Sequence, residues 1–170
     1  MRNQHKMLGS AFALAATKFR SQVDRGGRAY FGHGIRVMLN LPHNADIETR
    51  QVAVMHDLIE DTGITKECLQ KEGFCERVVD GVVAISKVKG ETEDEYYARI
   101  KTNEDAIYCK IADLEDNMDL TRLKSIHDKD ILRCQNYHKR YVELIKVSGY
   151  SVYVKAWKIL TSYMSRPAGY

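Results

Sequence analysis

Apolar residues recur along most of this chain at intervals of three and four, the period of a helix with one buried face. Between Met7 and Phe19 they fall at Leu8, Ala11, Phe12, Ala15 and Phe19. The run "DRGGRAY" then breaks the helix with paired glycines. A short helix is expected over Ile35 to Asn40, stopped by Pro42. A longer one is expected over Ala45 to Thr62, with Gly63 as its C-terminal stop. Thr65 is placed to cap a brief helix reaching Gly73. Further helices are expected over Glu76 to Ser86, Asp94 to Lys101, Glu104 to Leu120 and Asp130 to Val147. After Gly149 a last amphipathic stretch ends near Met164. Strand-like alternation is scarce. The pattern predicts an all-α fold: one compact helical bundle over residues 1–148, with residues 149–170 as an amphipathic extension packed on it or trailing it.

Composition narrows the function classes. The 170 residues suit one domain, and a 44% hydrophobic content is enough to bury a core. A net charge of +3 is too small to argue for nucleic acid and is compatible with an anionic small molecule. The opening residues lack the apolar core and cleavage site of a signal peptide, and no apolar run is long enough to span a bilayer. Cys68, Cys75, Cys109 and Cys134 form no CxxC pair and no zinc-finger spacing, so reduced thiols in a cytoplasmic protein are expected. The sequence holds no P-loop, no GxGxxG and no Ser-centred triad signature.

Three stretches carry candidate chemistry. In "AVMHDLIEDT", a continuous helix would gather His56, Asp57, Glu60 and Asp61 within an arc of roughly 140°. Val52, Val54, Met55, Leu58 and Ile59 fill the other side. Carboxylates so close repel one another unless something positive sits among them, and a divalent ion is the economical answer. A solvated acidic face is the plainer reading. In "KIADLEDNMDLTRL", Ile107, Ile111, Leu114 and Met118 form the apolar stripe and Lys110, Asp113 and Asn117 line its margin. Asp113 is therefore the carboxylate expected to face inward, with a salt bridge to Lys110 as the plainer alternative. Glu115, Asp116 and Asp119 are expected to point to water. In "GRAYFGHGIRVML", His33 follows a glycine-rich turn at the start of an apolar helix, where a hydrogen-bonded core histidine is the plainer reading.

Together, H33…H56-D57…D113 resembles the ligand order of the HD phosphohydrolase superfamily. "HDLIEDT" is similar to the HDxxED motif of the hydrolase domain of RelA/SpoT-type alarmone enzymes and of stand-alone small alarmone hydrolases. "KIADLEDNM" resembles their KLADRLHNM segment, and the stretch around His33 their G.PY..HP..V segment. The similarity runs from about Leu8 to Leu144. It implies one metal, usually manganese with iron or zinc as alternatives, held by His33, His56, Asp57 and Asp113. It implies hydrolysis of the 3′-pyrophosphate of ppGpp to GDP and pyrophosphate. Glu60 and Asp61 match the pair that orients the attacking water and moves its proton; Asn117 matches a residue that contacts the nucleoside. Arg25 keeps the second place of a basic pair, whose first place is Asp24 here, an acidic side chain repulsive to polyphosphate. Gly34 replaces a proline, and Leu114 and Asp116 replace Arg and His.

Polyphosphate needs cations. Arg25, Arg28, Lys87, Lys89, Arg99 and Lys101 are the candidates, and Lys87 and Arg99 belong to a Lys/Tyr/Arg-rich loop and helix that could close over phosphates. The basic residues His138, Lys139 and Arg140 are read as a solvated face rather than a nucleic-acid interface. The expected partner is thus a nucleotide, with no membrane; a homo-oligomer stays open. Two rival readings remain: an HD nucleotidase or phosphodiesterase acting on another phosphorylated nucleotide or dinucleotide, and a non-catalytic nucleotide-binding sensor.

Overall fold

A computed structural model describes the backbone of residues 2–148. The expected extension over residues 149–170 lies outside the described residues. Helices run in the order α1 (Arg2–Lys18), α2 (Phe31–Asn40), α3 (Ile47–Met55), α4 (Leu58–Thr62), α5 (Lys66–Lys71), α6 (Glu76–Ile85), α7 (Glu93–Ile100), α8 (Glu104–Met118) and α9 (Asp128–Ser148). A single 3-10 turn, Leu120–Arg122, joins the last two. Among the described residues the remaining regular pairing is one isolated antiparallel bridge, Val23 with Ala29. The fold is all-α, as the apolar periodicity predicts.

The starts of these helices follow from their sequences. Asp46, Thr65 and Asn103 each accept a backbone N–H of the first turn that has no carbonyl partner inside the helix. Thr92 and Glu95 cap α7 reciprocally. The core forms around α3, which packs against α1, α2, α6 and α8, while α9 covers α8. Val52, Ala53, Val54 and Met55 on α3 are all fully or almost fully buried. This buries the second half of α3 on every side; of the four residues weighed as a solvated acidic face, His56 is buried and Asp57 half-buried, while Glu60 and Asp61 are exposed.

The expected helix over Ala45 to Thr62 is in fact two. It breaks at His56 and Asp57, between α3 and α4. An unbroken helix would offer the Ala53 carbonyl to the backbone N–H four residues on; here that carbonyl accepts a 2.8 Å bond from His56 Nδ1. Asp57 adopts φ −97° and ψ 0°, the bridge region of backbone space. The single-arc geometry of His56, Asp57, Glu60 and Asp61 is therefore replaced by a turn that aims His56 and Asp57 at α2 and α8.

Candidate metal centre and cleft

Three helices and one turn bring the centre together. α2 supplies His33, the α3–α4 turn supplies His56 and Asp57, and α8 supplies Asp113. His33, His56 and Asp113 are buried and place one ligand atom each within 4.8 Å of one another. His33 Nε2 lies 3.1 Å from Asp113 Oδ1 and 3.6 Å from Asp57 Oδ2. His56 Nε2 lies 3.0 Å from Asp57 Oδ2 and 3.7 Å from Asp113 Oδ1. The approach of α2 to α3 at this level depends on Gly34, where a Cβ would stand 3.0 Å from the Val54 carbonyl oxygen. Glycine in place of the family's proline thus fits a close backbone crossing beside His33.

Both imidazoles are oriented from behind. The Ala53 carbonyl can only accept, so His56 Nδ1 carries the proton of that bond. His33 Nδ1 lies 2.7 Å from Asp116 Oδ2. Burial alone would raise the Asp116 carboxyl; the His33 and Arg36 bonds outweigh it and bring it to about 2. Asp116 is thus an acceptor and His33 Nδ1 the donor. Both Nε2 atoms then face the carboxylates of Asp57 and Asp113. His56 Nε2 is fully buried and makes no hydrogen bond, for Asp57 stands close without the alignment of one.

Electrostatics state the same demand. Burial would lower the His33 imidazole, yet the Asp113 and Asp116 carboxylates raise it to about 9. Burial would raise Asp113, yet Lys110 and the two histidines pull it well below the usual range. The site asks for positive charge at the point where the four side chains meet. Two imidazole nitrogens and two carboxylate oxygens form a donor set suited to manganese, iron or zinc. The buried, unpartnered His56 Nε2 is the atom such an ion would satisfy. The residues therefore fit a divalent cation.

Around the centre lies a cleft of about 390 Å³. Glu60 lines it and accepts the Lys87 backbone N–H at 3.1 Å. Arg25, Lys87 and Asn117 also line it. Asn117 donates to Asp113 Oδ1, and Lys110 donates to Asp113 Oδ2 at 2.8 Å. The Lys110 salt bridge weighed from sequence is present, but inside the site rather than at its boundary. Asp61 stands one step back. The Tyr30 hydroxyl lies 2.6 Å from Asp57 Oδ2 and 3.1 Å from Asp61 Oδ2. It has one proton for two carboxylates, and burial together with the Asp57 charge raises Asp61 above the usual range.

Three sequence expectations change. Arg99 is not at the cleft. Its guanidinium donates to the carbonyls of Val83, Ala84 and Ser86 and to both oxygens of Glu91, which occupies all five N–H groups. It closes the C-terminus of α6 rather than awaiting phosphate. Asp116 does not point to water: it is 4% exposed and bonded to His33 and Arg36. Asp24 does not confront the cleft as a bare anion. It accepts the backbone N–H groups of Gly26 and Arg28 at 2.9 Å, and Arg36 and Arg122 stand 3.5 and 3.8 Å from its other oxygen. Tyr30, Arg36 and Arg122 were not singled out from sequence. The available signal was Arg36 inside the apolar run "IRVML", a cation on a buried helix in need of a carboxylate.

No protein-family model matches the chain. It is 38% identical over 117 residues to an Aquifex aeolicus protein named guanosine-3′,5′-bis(diphosphate) 3′-pyrophosphohydrolase, covering 64% of this chain and 17% of the relative. It is 33% identical over 117 residues to a Mycobacterium leprae protein named probable GTP pyrophosphokinase, covering 64% of this chain and 15% of that relative. The chain thus spans about one sixth of the length of these curated relatives. A solved structure described as a metazoan ortholog of SpoT that hydrolyses ppGpp superposes with a TM-score of 0.70 at 22% identity, covering 88% of this chain and 89% of that one. In sequence and in helical fold, the chain is related to the HD-domain hydrolases of the RelA/SpoT type.

Proposed function

We propose that this chain hydrolyses the 3′-pyrophosphate of guanosine tetra- and pentaphosphate, releasing pyrophosphate with one bound divalent cation, manganese first. The observation that carries the reading is the convergence of His33, His56, Asp57 and Asp113 on one point, with His56 Nε2 buried and unpartnered there. The similarity to proteins named for this hydrolysis supports the substrate.

These four residues would hold the ion, which would supply Lewis-acid charge to the scissile phosphoryl group and lower the pKa of water there. Glu60 faces the same cleft, fixed by the Lys87 backbone N–H, and is placed to orient the attacking water and take its proton. Asp61 acts through Tyr30, which links it to Asp57 and so fixes the orientation of that ligand. Lys110 and Asn117 hold Asp113 in the same way from the other wall. Arg25 and Lys87 add positive charge at the cleft mouth, where a polyanion enters.

The test incubates purified protein and manganese with ppGpp, NADPH, deoxynucleotides and cyclic dinucleotides, and resolves products by chromatography. Asp57→Ala is the control. Manganese-dependent release of pyrophosphate from ppGpp is the expected result. Turnover of another member of the panel would move the substrate; nucleotide binding with no turnover would make the chain a sensor.

A further inference from the structure

The cation that the family places at position 24 is missing, and the fold supplies another at the same wall of the cleft. Arg122 comes from the 3-10 turn after α8, ninety-eight positions further along the chain. Arg122 lines the cleft with Asp24, Arg25 and Asn117. Two carboxylates hold it from behind: Asp116 Oδ2 at 3.4 Å and Asp24 Oδ2 at 3.8 Å from Nη1. Neither approach is a hydrogen bond, and its Nε donates to the Asp119 carbonyl. Among the described residues the two Nη groups make no hydrogen bond, although the side chain is only 10% exposed. A largely buried guanidinium beside a cleft, with no hydrogen bond at its terminal nitrogens, is placed to take an acceptor that arrives with the ligand.

The backbone fixes this position. A Cβ on Gly26 would stand 2.3 Å from the Arg122 carbonyl oxygen, so the turn holding Asp24 and the turn holding Arg122 touch directly. Asp24 also ties that turn through the Gly26 and Arg28 N–H groups. The acid at position 24 therefore anchors a cation instead of repelling the substrate.

We propose that Arg122 is a substrate-binding residue that contacts a phosphate group of the nucleotide, with Asp24 and Asp116 as the carboxylates that position it. The proposal rests on the phosphohydrolase reading above for its substrate, and on the cleft geometry for its chemistry. A guanidinium-to-phosphate bond of the charge-assisted kind accounts for about a ten- to hundredfold change in affinity.

The experiment measures ppGpp hydrolysis, binding of inorganic pyrophosphate and binding of manganese for wild type, Arg122→Gln and Arg122→Lys. Arg122→Gln is expected to raise KM and weaken pyrophosphate binding about ten- to hundredfold. Manganese affinity stays within about threefold, and Arg122→Lys recovers part of the loss, because a lysine keeps the charge without the fork. Gly26→Ala, which keeps the arginine but forces the two turns apart, is expected to raise KM in the same direction. Pyrophosphate binding by Arg122→Gln within about twofold of wild type overturns the proposal. So does a parallel loss of manganese affinity, which would make Arg122 a part of the framework behind His33. If wild type leaves ppGpp intact, the phosphohydrolase reading fails by itself, and the pyrophosphate titration still decides the role of Arg122.

Discussion

The two ring nitrogens of His33 meet two clusters of opposite design. Behind Nδ1, Asp24 and Asp116 meet Arg36 and Arg122, two carboxylates with two guanidiniums. In front of Nε2, Asp57 and Asp113 meet two imidazoles, with Lys110 as the permanent cation in contact. The rear cluster is balanced by its own side chains. The front cluster is balanced only by protonating its histidines or by receiving a cation. The rear cluster orients His33 and holds Arg122; the front cluster is the one that calls for a cation. The Arg77 cluster, outside the cleft lining, sets one guanidinium between Asp46 and Asp105, each hydrogen-bonded to it.

Breaking the front cluster has the largest expected effect. Asp113→Ala should remove detectable turnover and abolish the manganese-induced rise in Tm. In wild type, a metal concentration of about 100 Kd stabilises by roughly 2.7 kcal/mol, or about 5–10 °C for a chain of this size. A full Tm response in the variant would remove Asp113 from the ligands. Glu60→Gln should keep that response and lose about 10²–10⁴ in kcat. Loss of metal binding instead would reassign Glu60 as a ligand.

The rear cluster should act through affinity rather than chemistry. Asp116→Asn leaves His33 in place and weakens the acceptor for its Nδ1–H. Manganese affinity should fall about 10–100-fold by isothermal titration, with kcat at saturating metal much less affected. An unchanged affinity would reduce the rear cluster to packing. The distant cluster should affect stability alone. Asp46→Ala removes the N-cap of α3 and should cost about 1 kcal/mol in urea unfolding, with manganese affinity unchanged. Burial would raise the Asp46 carboxyl, but the Thr49 and Arg77 bonds lower it below its ordinary 3.8. Its folded pKa is depressed, so its stabilisation is complete above the ordinary carboxylate range and is lost as pH falls through the folded value. The gap between wild type and Asp46→Ala should therefore narrow as pH falls below the ordinary carboxylate range, which unfolding midpoints over a pH series would show.

Much of this was legible in the sequence because it depends on period and order. The stripe of Ile107, Ile111, Leu114 and Met118 predicted α8, with Asp113 on its margin; the fold buries all of these but Met118, which is half-buried at the end of the helix. The resemblance to HD phosphohydrolases implied a shared centre of His33, His56, Asp57 and Asp113, and in the fold these side chains lie close together. What escaped depends on contacts distant in sequence or on local competition for one backbone group. The break at His56 follows from an imidazole taking the Ala53 carbonyl, which periodicity cannot report. Asp116 lies off the apolar stripe, and its burial is decided by Arg36 and Arg122. Arg99 looked free because the carbonyls it closes belong to another helix. A charged side chain shows its residue type in the sequence; its partner appears only in the fold.

The proposed pyrophosphohydrolase activity depends on one divalent cation at the front cluster. The most direct measurement titrates metal-free protein with manganese while following both bound metal and pyrophosphate release from ppGpp. The account predicts activity that rises in step with occupancy of one ion per chain and is absent in Asp57→Ala. Full activity without metal, or activity that appears only with a second ion, would contradict it.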